Sequence, residues 1–134
     1  MDFDSIIKGS MPLPPAKKKH KGEENVRTLV FNVKNQIIQK EPSCDFSGLV
    51  ANTSGYLKAK FVLSDAWDNC AKVAGFFSKD DQEFPPCVLD ENNSCEIPSD
   101  ALKYHEFKIR LYGKRDNYMI TTQPITIKQY GGIK

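Results

Sequence analysis

Residues 57–77 read "LKAKFVLSDAWDNCAKVAGFF", and the fold class turns on this stretch. Leu57, Ala59, Phe61 and Leu63 alternate with Lys58, Lys60, Val62 and Ser64. A period of two turns one apolar face to a core and the lysines to water, as in a half-buried strand. After a polar break the pattern resumes, with Val73, Gly75 and Phe77 forming another run. Trp67, the only tryptophan of the chain, stands in that break between Asp65 and Asp68. A large aromatic at such a junction can fold back and plug one end of a sandwich. The two aspartates are then expected to supply the turn's local hydrogen bonds.

The same period extends outward in both directions. Leu29, Phe31 and Val33 alternate with Thr28, Val30 and Asn32. "PPCVLDENNSCEIP" (85–98) reads as a hairpin, with strands at 86–89 and 94–97 around Asp90-Glu91-Asn92-Asn93. "EFKIRLYG" (106–113) sets Phe107, Ile109 and Leu111 against Lys108, Arg110 and Tyr112. Residues 113–117 read as a turn. "YMITTQPITIKQY" (118–130) closes the domain, with Pro124 marking an edge or a bulge. Only Pro98–Lys103 has helical character, for about one turn, with Ser99 or Asp100 as its cap. About seven short strands separated by turn signals predict an all-β fold, an antiparallel Ig-like β-sandwich over residues 26–134. Its expected core includes Phe31, Phe61, Trp67, Phe77, Leu89 and Ile109.

Residues 1–25 differ in kind. Phe3, Ile6 and Ile7 form a short apolar patch, followed by Pro12, Pro14 and Pro15 and then by Lys17, Lys18, Lys19, His20 and Lys21. Prolines fix φ and remove donors, so this segment reads as an extended N-terminal arm that stays out of any sheet interior. Five lysines against four carboxylates give it a net charge of only +1. A lysine run without interleaved aromatics is a weak nucleic-acid signal, and the net charge of the whole chain, +2, is far from a phosphate-binding footprint. The preferred reading is an anchor in which Phe3, Ile6 and Ile7 dock on a neighbouring protein and order on binding, with Lys17, Lys18, Lys19 and Lys21 beside them.

Chemistry is sparse. His20 falls in the arm and His105 lies between Tyr104 and Glu106, so neither has a nucleophile near it in sequence. The Asp65/Asp68 and Asp80/Asp81 pairs sit in turns, where acids usually shape loops. No phosphate-binding glycine loop or HExxH is present, and no catalytic residue or cofactor is expected. Cys44, Cys70, Cys87 and Cys95 contain no CxxC pair, so no metal site is expected. A hairpin at 86–97 can set Cys87 opposite Cys95. The chain opens with Asp2 and Asp4 and no apolar leader, which reads as cytoplasmic synthesis. There, thiols default to small buried hydrophobes and no functional disulfide is expected. By the same argument the Asn-x-Ser matches at Asn52 and Asn92 are chance, and no apolar stretch is long enough to cross a bilayer as a helix.

Four segments occur in a recognisable order: "TSGYLKAKFVLSDAWDNCAKVAGFF" (53–77), "CVLDENNSCEIPSDAL" (87–102), "FKIRLYG" (107–113) and "MITTQPITIKQYGG" (119–132). Their Trp-Asp strand end, their LD-x-N-x-x-C-x-I-P hairpin and their ITT step resemble a small β-sandwich domain. That domain occurs in virion structural proteins of phages infecting Gram-positive bacteria, where it often begins tail-fibre or baseplate proteins. The resemblance spans about residues 50–132. It implies a non-enzymatic virion component, made in the host cytoplasm and assembled with other virion proteins in many symmetric copies, away from any membrane. Fibre-type members continue into long repetitive sequence, whereas this chain ends at Lys134 and carries the arm. The expectation is therefore an accessory or decoration protein on the capsid. A tail or baseplate attachment module, or a binder of host-surface carbohydrate, is the alternative, and a small nucleic-acid-binding regulator a further one. If neighbouring copies touch, Tyr104, Tyr112, Tyr118 and Tyr130 are the candidate contacts.

Overall fold

A computed structural model describes residues 25–134, which form nine strands in two open sheets rather than about seven strands. These are β1 (Arg27–Lys34), β2 (Ile37–Lys40), β3 (Leu57–Leu63), β4 (Ala71–Phe77), β5 (Glu83–Val88), β6 (Ser94–Glu96), β7 (Glu106–Arg115), β8 (Tyr118–Thr121) and β9 (Ile125–Lys128). The first sheet has the order β2-β1-β3-β6. The second runs β5-β4-β7, and β8 and β9 lie end to end along the far edge of β7.

Every neighbouring pair is antiparallel except β1–β3, which is parallel. The physical reason is the connection over residues 41–56. It returns from β2 to the end at which β1 begins, so β3 enters in the same direction as β1. Phe31 and Phe61 share a register position and stack with ring centroids 5.4 Å apart.

Period two holds where only one face is apolar. Leu29, Phe31 and Val33 of β1, Leu57, Ala59 and Phe61 of β3, and Phe107, Ile109 and Leu111 of β7 are all buried in one core. Each large side chain there contributes about 1.5–3 kcal/mol of transfer free energy. In β4 the inward set is Ala74 and Phe76, in register with Leu111 and Ile109. Phe77 faces outward and is half-buried, paired with Lys108 and Glu83. Leu89 is also half-buried, packed against the core edge.

The hairpin expected around residues 90–93 is a turn between sheets. Its chemistry is local: Asp90 Oδ1 accepts from the backbone N–H groups of Asn92 and Ser94, both at 2.9 Å. Its strands then diverge, β5 pairing with β4 and β6 with β3. The helical turn at 98–103 is a single 3-10 turn, Ala101–Lys103, and no side chain caps it. β7 continues through Gly113 to Arg115, so the next turn narrows to Asp116–Asn117, with Asp116 at φ 45°. Pro124 falls in the break between β8 and β9. There Thr122 Oγ1 accepts from Leu111 N at 3.0 Å and replaces a ladder bond.

Strand directions divide the molecule into two ends. β1, β3 and β7 begin, and β4, β6 and β9 finish, at one end, which we call the entry end because the chain enters the sandwich there. The β1–β2 turn, the 65–70 turn and the β7–β8 turn lie at the opposite, plugged end.

Candidate interaction surface

The plugged end buries the largest side chain of the chain, with Ile37 and Met119 exposed beside its turns. Trp67 completes a 3-10 turn, Asp65–Trp67, and is fully buried. Its Nε1 donates to Asn35 O at 2.9 Å, which ties it to the β1–β2 turn. Its ring lies so close to Gly113 that a Cβ there would approach Cε3 to 2.8 Å. Tyr118 donates its hydroxyl to Ala66 O at 2.6 Å and secures the same turn to β8. The turn itself is held by backbone groups, Trp67 N to Ser64 O and Asp68 N to Asp65 O, each at 3.0 Å. The aspartate side chains do not supply these bonds. The Ser64 hydroxyl accepts from Asn35 N at 2.9 Å.

The entry end is built differently. Arg27 opens β1, and its guanidinium donates to Asp45 O at 2.9 Å and to Ser47 O at 2.7 Å. This fixes the loop that leads to Val50 against the point of entry. Residues 129–133 are threaded between the 49–52 loop and the 102–105 segment. Tyr130 N donates to Leu49 O, Ala51 N to Tyr130 O, His105 N to Ile133 O and Ile133 N to Lys103 O, all at 2.8–2.9 Å. Gly132 permits the passage: it has φ +85°, and a Cβ would stand 2.8 Å from the His105 nitrogen and the Lys103 carbonyl. On this tightly bonded backbone Val50 is 57% exposed, Tyr130 72% and Ile133 54%, with Tyr56 at the start of β3 also exposed. Beside Tyr130 a shallow cleft of about 210 Å³ is lined by Phe46, Leu49 and Lys128.

Of the four tyrosines expected as contacts, only Tyr130 presents its ring freely. Tyr104 is half-buried against Phe84, Tyr112 is half-buried beside Gly75, and Tyr118 lies under the Arg115 guanidinium. Phe3, Ile6, Ile7, Lys17, Lys18, Lys19 and Lys21 lie outside the described residues. Val50 and Ile133 carry no sequence signal. Each is placed by an isolated bridge between distant segments, Val50 with Tyr130 and Ile133 with Tyr104.

A second concavity, of about 360 Å³, crosses the outer face of the second sheet. Phe77 and Tyr112 line it beside Arg110, Lys108, Asp81 and Pro124. Their rings fold over Gly75, where a Cβ would come within 2.9 Å of Tyr112. Burial pushes the Tyr112 hydroxyl up in pKa, against the hydrogen bond and charge of Arg110. Arg110 Nε is buried without a hydrogen-bond partner. The Lys108 ammonium donates to Asp81 and, by hydrogen bond and charge, holds that carboxyl below the usual range.

His105 Nδ1 lies 3.1 Å from Ile133 O and Nε2 lies 3.2 Å from Glu106, so its ring pins the tail to β7. Among the described residues no three His, Cys, Asp or Glu side chains converge as metal ligands. No helix among them is long and apolar enough to cross a membrane. The chain matches no protein-family model, no curated protein and no solved structure.

Proposed function

We propose that the chain is a non-enzymatic virion structural protein, an accessory or decoration protein that seats on the capsid surface through its entry end. In this reading the sandwich is Ig-like, and residues 1–25 are an extended arm that adds a second anchor. One observation carries the proposal. Val50 and Tyr130 are exposed side by side, and Ile133 further along the same segment, near the end where the chain enters, on backbone held by hydrogen bonds to neighbouring segments. Apolar side chains held rigidly outward lose little entropy on docking, and aromatic anchors dominate such contacts. A weak contact per copy suffices where a symmetric lattice repeats it. The order of the Trp-Asp, LD-x-N-x-x-C-x-I-P and ITT segments supports the virion class.

The test adds purified chain to particles assembled without it and measures co-sedimentation. Val50→Ser with Tyr130→Ser leaves the melting temperature unchanged and lowers binding at least tenfold, and removal of residues 1–25 lowers it further. Undiminished binding by both variants refutes the entry-end anchor. The aromatic-lined groove at Phe77 and Tyr112 favours a second reading, attachment to host-surface carbohydrate from a tail or baseplate position. Specific binding of the chain to host cell-wall polysaccharide, lost in Tyr112→Ala, would select it.

A further inference from the structure

Edge strands β5 and β6 belong to opposite sheets, yet each directs one cysteine into the space between them. Cys87 is the register partner of Ala74 and Cys95 that of Ala59. Both alanines are fully buried, so two small side chains flank the place where the sulfurs meet. Cys95 is a core residue and Cys87 is half-buried against it. Cys87 Sγ donates to the carbonyl of Glu96, the residue after Cys95, at 3.4 Å, and each thiol shifts the pKa of the other. We propose that Cys87 and Cys95 form a redox-active dithiol that closes to a disulfide joining the two sheets, with a small-molecule disulfide as the oxidant.

The two sulfurs are unequal in a way that orders the reaction. The hydrogen bond from Cys95 lowers the Cys87 pKa, against burial and the charge of Glu96. The Cys95 thiol is pushed well up by the same hydrogen bond, by burial and by the charges of Cys87 and Asp90, with Lys58 opposing. Cys87, the more accessible sulfur, is therefore the attacking thiolate. It displaces one thiolate from oxidised glutathione and forms a mixed disulfide. Cys95 then loses its proton, attacks the Cys87 sulfur and expels the second glutathione thiolate. One S–S bond of the oxidant is broken and one of the protein is formed. The two protons released by the cysteines end on two molecules of reduced glutathione.

The Asp90 turn and the pairing of β5 with β4 and of β6 with β3 hold the two cysteines near one another across the sheets. The bond closes residues 87–95 and constrains the unfolded chain, raising the melting temperature by about 5–10 °C. Cys44, against Thr28 and Val30 of β1, and Cys70, beyond Trp67, serve as internal controls.

The experiment incubates the full-length reduced chain with oxidised glutathione, alkylates the remaining thiols and maps the peptides after cleavage at Glu91. The expected product is 2 Da lighter, holds the Cys87 and Cys95 fragments together, and has Cys44 and Cys70 alkylated. Cys95→Ser traps glutathione on Cys87, and both Cys87→Ser and Cys95→Ser abolish the thermal shift. Alkylation of Cys87 and Cys95 in the wild-type chain, a lasting glutathione adduct on it, or oxidation at all four cysteines alike overturns the proposal, whether or not the variants fold. The proposal does not depend on the virion reading, and failure of either leaves the other standing.

Discussion

Gly113 and Trp67 allow the plugged end to be tested with a single methyl group. Gly113 lies inside β7 with no left-handed backbone, so propensity alone makes Gly113→Ala stabilising by about 0.5–1 kcal/mol. Packing opposes this. The new Cβ would stand 2.8 Å from Trp67 Cε3, 2.9 Å from Cζ3 and 3.0 Å from Ile120 Cγ2. The ring cannot retreat easily, because Nε1 is bonded to Asn35 O and the side chain is fully buried. Overpacking of this kind costs about 1–3 kcal/mol. The packing cost exceeds the propensity gain, and the net effect is a destabilisation of roughly 1–2 kcal/mol.

The signature is the coupling. Trp67→Ala removes the obstructing ring edge and by itself costs about 3–5 kcal/mol, with about 1 kcal/mol more for the lost Asn35 hydrogen bond. Trp67→Leu removes the same edge at lower cost and serves as a second background. In both, Gly113→Ala becomes neutral or mildly stabilising, so the double-mutant cycle gives an interaction energy of about 1–3 kcal/mol. Urea unfolding followed by far-ultraviolet circular dichroism reads all variants, including those that lack the only tryptophan. A higher midpoint for Gly113→Ala in the parent, or costs that add to within about 0.5 kcal/mol, would mean that Trp67 does not pack under β7.

Asp81 offers a pH test. Lys108 lowers its folded pKa below the ordinary 3.8, so its contribution is present above that value and is lost as pH falls through the folded pKa. Asp81 has φ 67°, a conformation asparagine accepts, so Asp81→Asn removes the charge without backbone strain. The variant is less stable than the parent at neutral pH, and the gap in thermal melting closes as pH falls through the folded Asp81 pKa. A gap that persists to pH 2 excludes the ion pair as its cause. Asp90→Ala leaves the Asn92 and Ser94 N–H groups without their acceptor and costs about 1–3 kcal/mol in urea unfolding. An unchanged midpoint would show that the turn between the sheets holds without that carboxylate.

The strands that sequence reasoning places correctly are those with one apolar face. In β1, β3 and β7 the alternation of Leu29, Phe31 and Val33, of Leu57, Ala59 and Phe61, and of Phe107, Ile109 and Leu111 leaves one orientation that buries them. β4 carries apolar residues on both faces, with Val73, Ala74, Phe76 and Phe77 in one run, so periodicity is ambiguous. Cross-strand register decides it by setting Ala74 and Phe76 against Leu111 and Ile109. The β5–β6 turn shows a different limit. The bonds from Asp90 to Asn92 and Ser94 are the same whether the flanking strands pair or separate into two sheets. Local chemistry identifies the turn, and only tertiary pairing identifies its partners. The expectation of Cys87 opposite Cys95 survives this change of topology, because the meeting is now between sheets instead of across a ladder.

The contrast between the two ends gives the molecule a direction. At the plugged end the largest side chain is inside, its one polar atom is bonded, and Tyr118 is committed to Ala66. At the entry end the threading of residues 129–133 pairs the backbone with the 49–52 and 102–105 segments, yet Val50, Tyr130 and Ile133 remain outside. Ile37 and Met119 also stay outside beside the plugged-end turns, so what distinguishes the entry end is Tyr130, the most exposed of these side chains, standing on the threaded segment. Exposed apolar groups on a backbone that cannot collapse over them retain their cost in water until another surface covers them. Loss of particle binding without loss of stability in the Val50 and Tyr130 variants therefore separates a surface kept for docking from one that is merely left over.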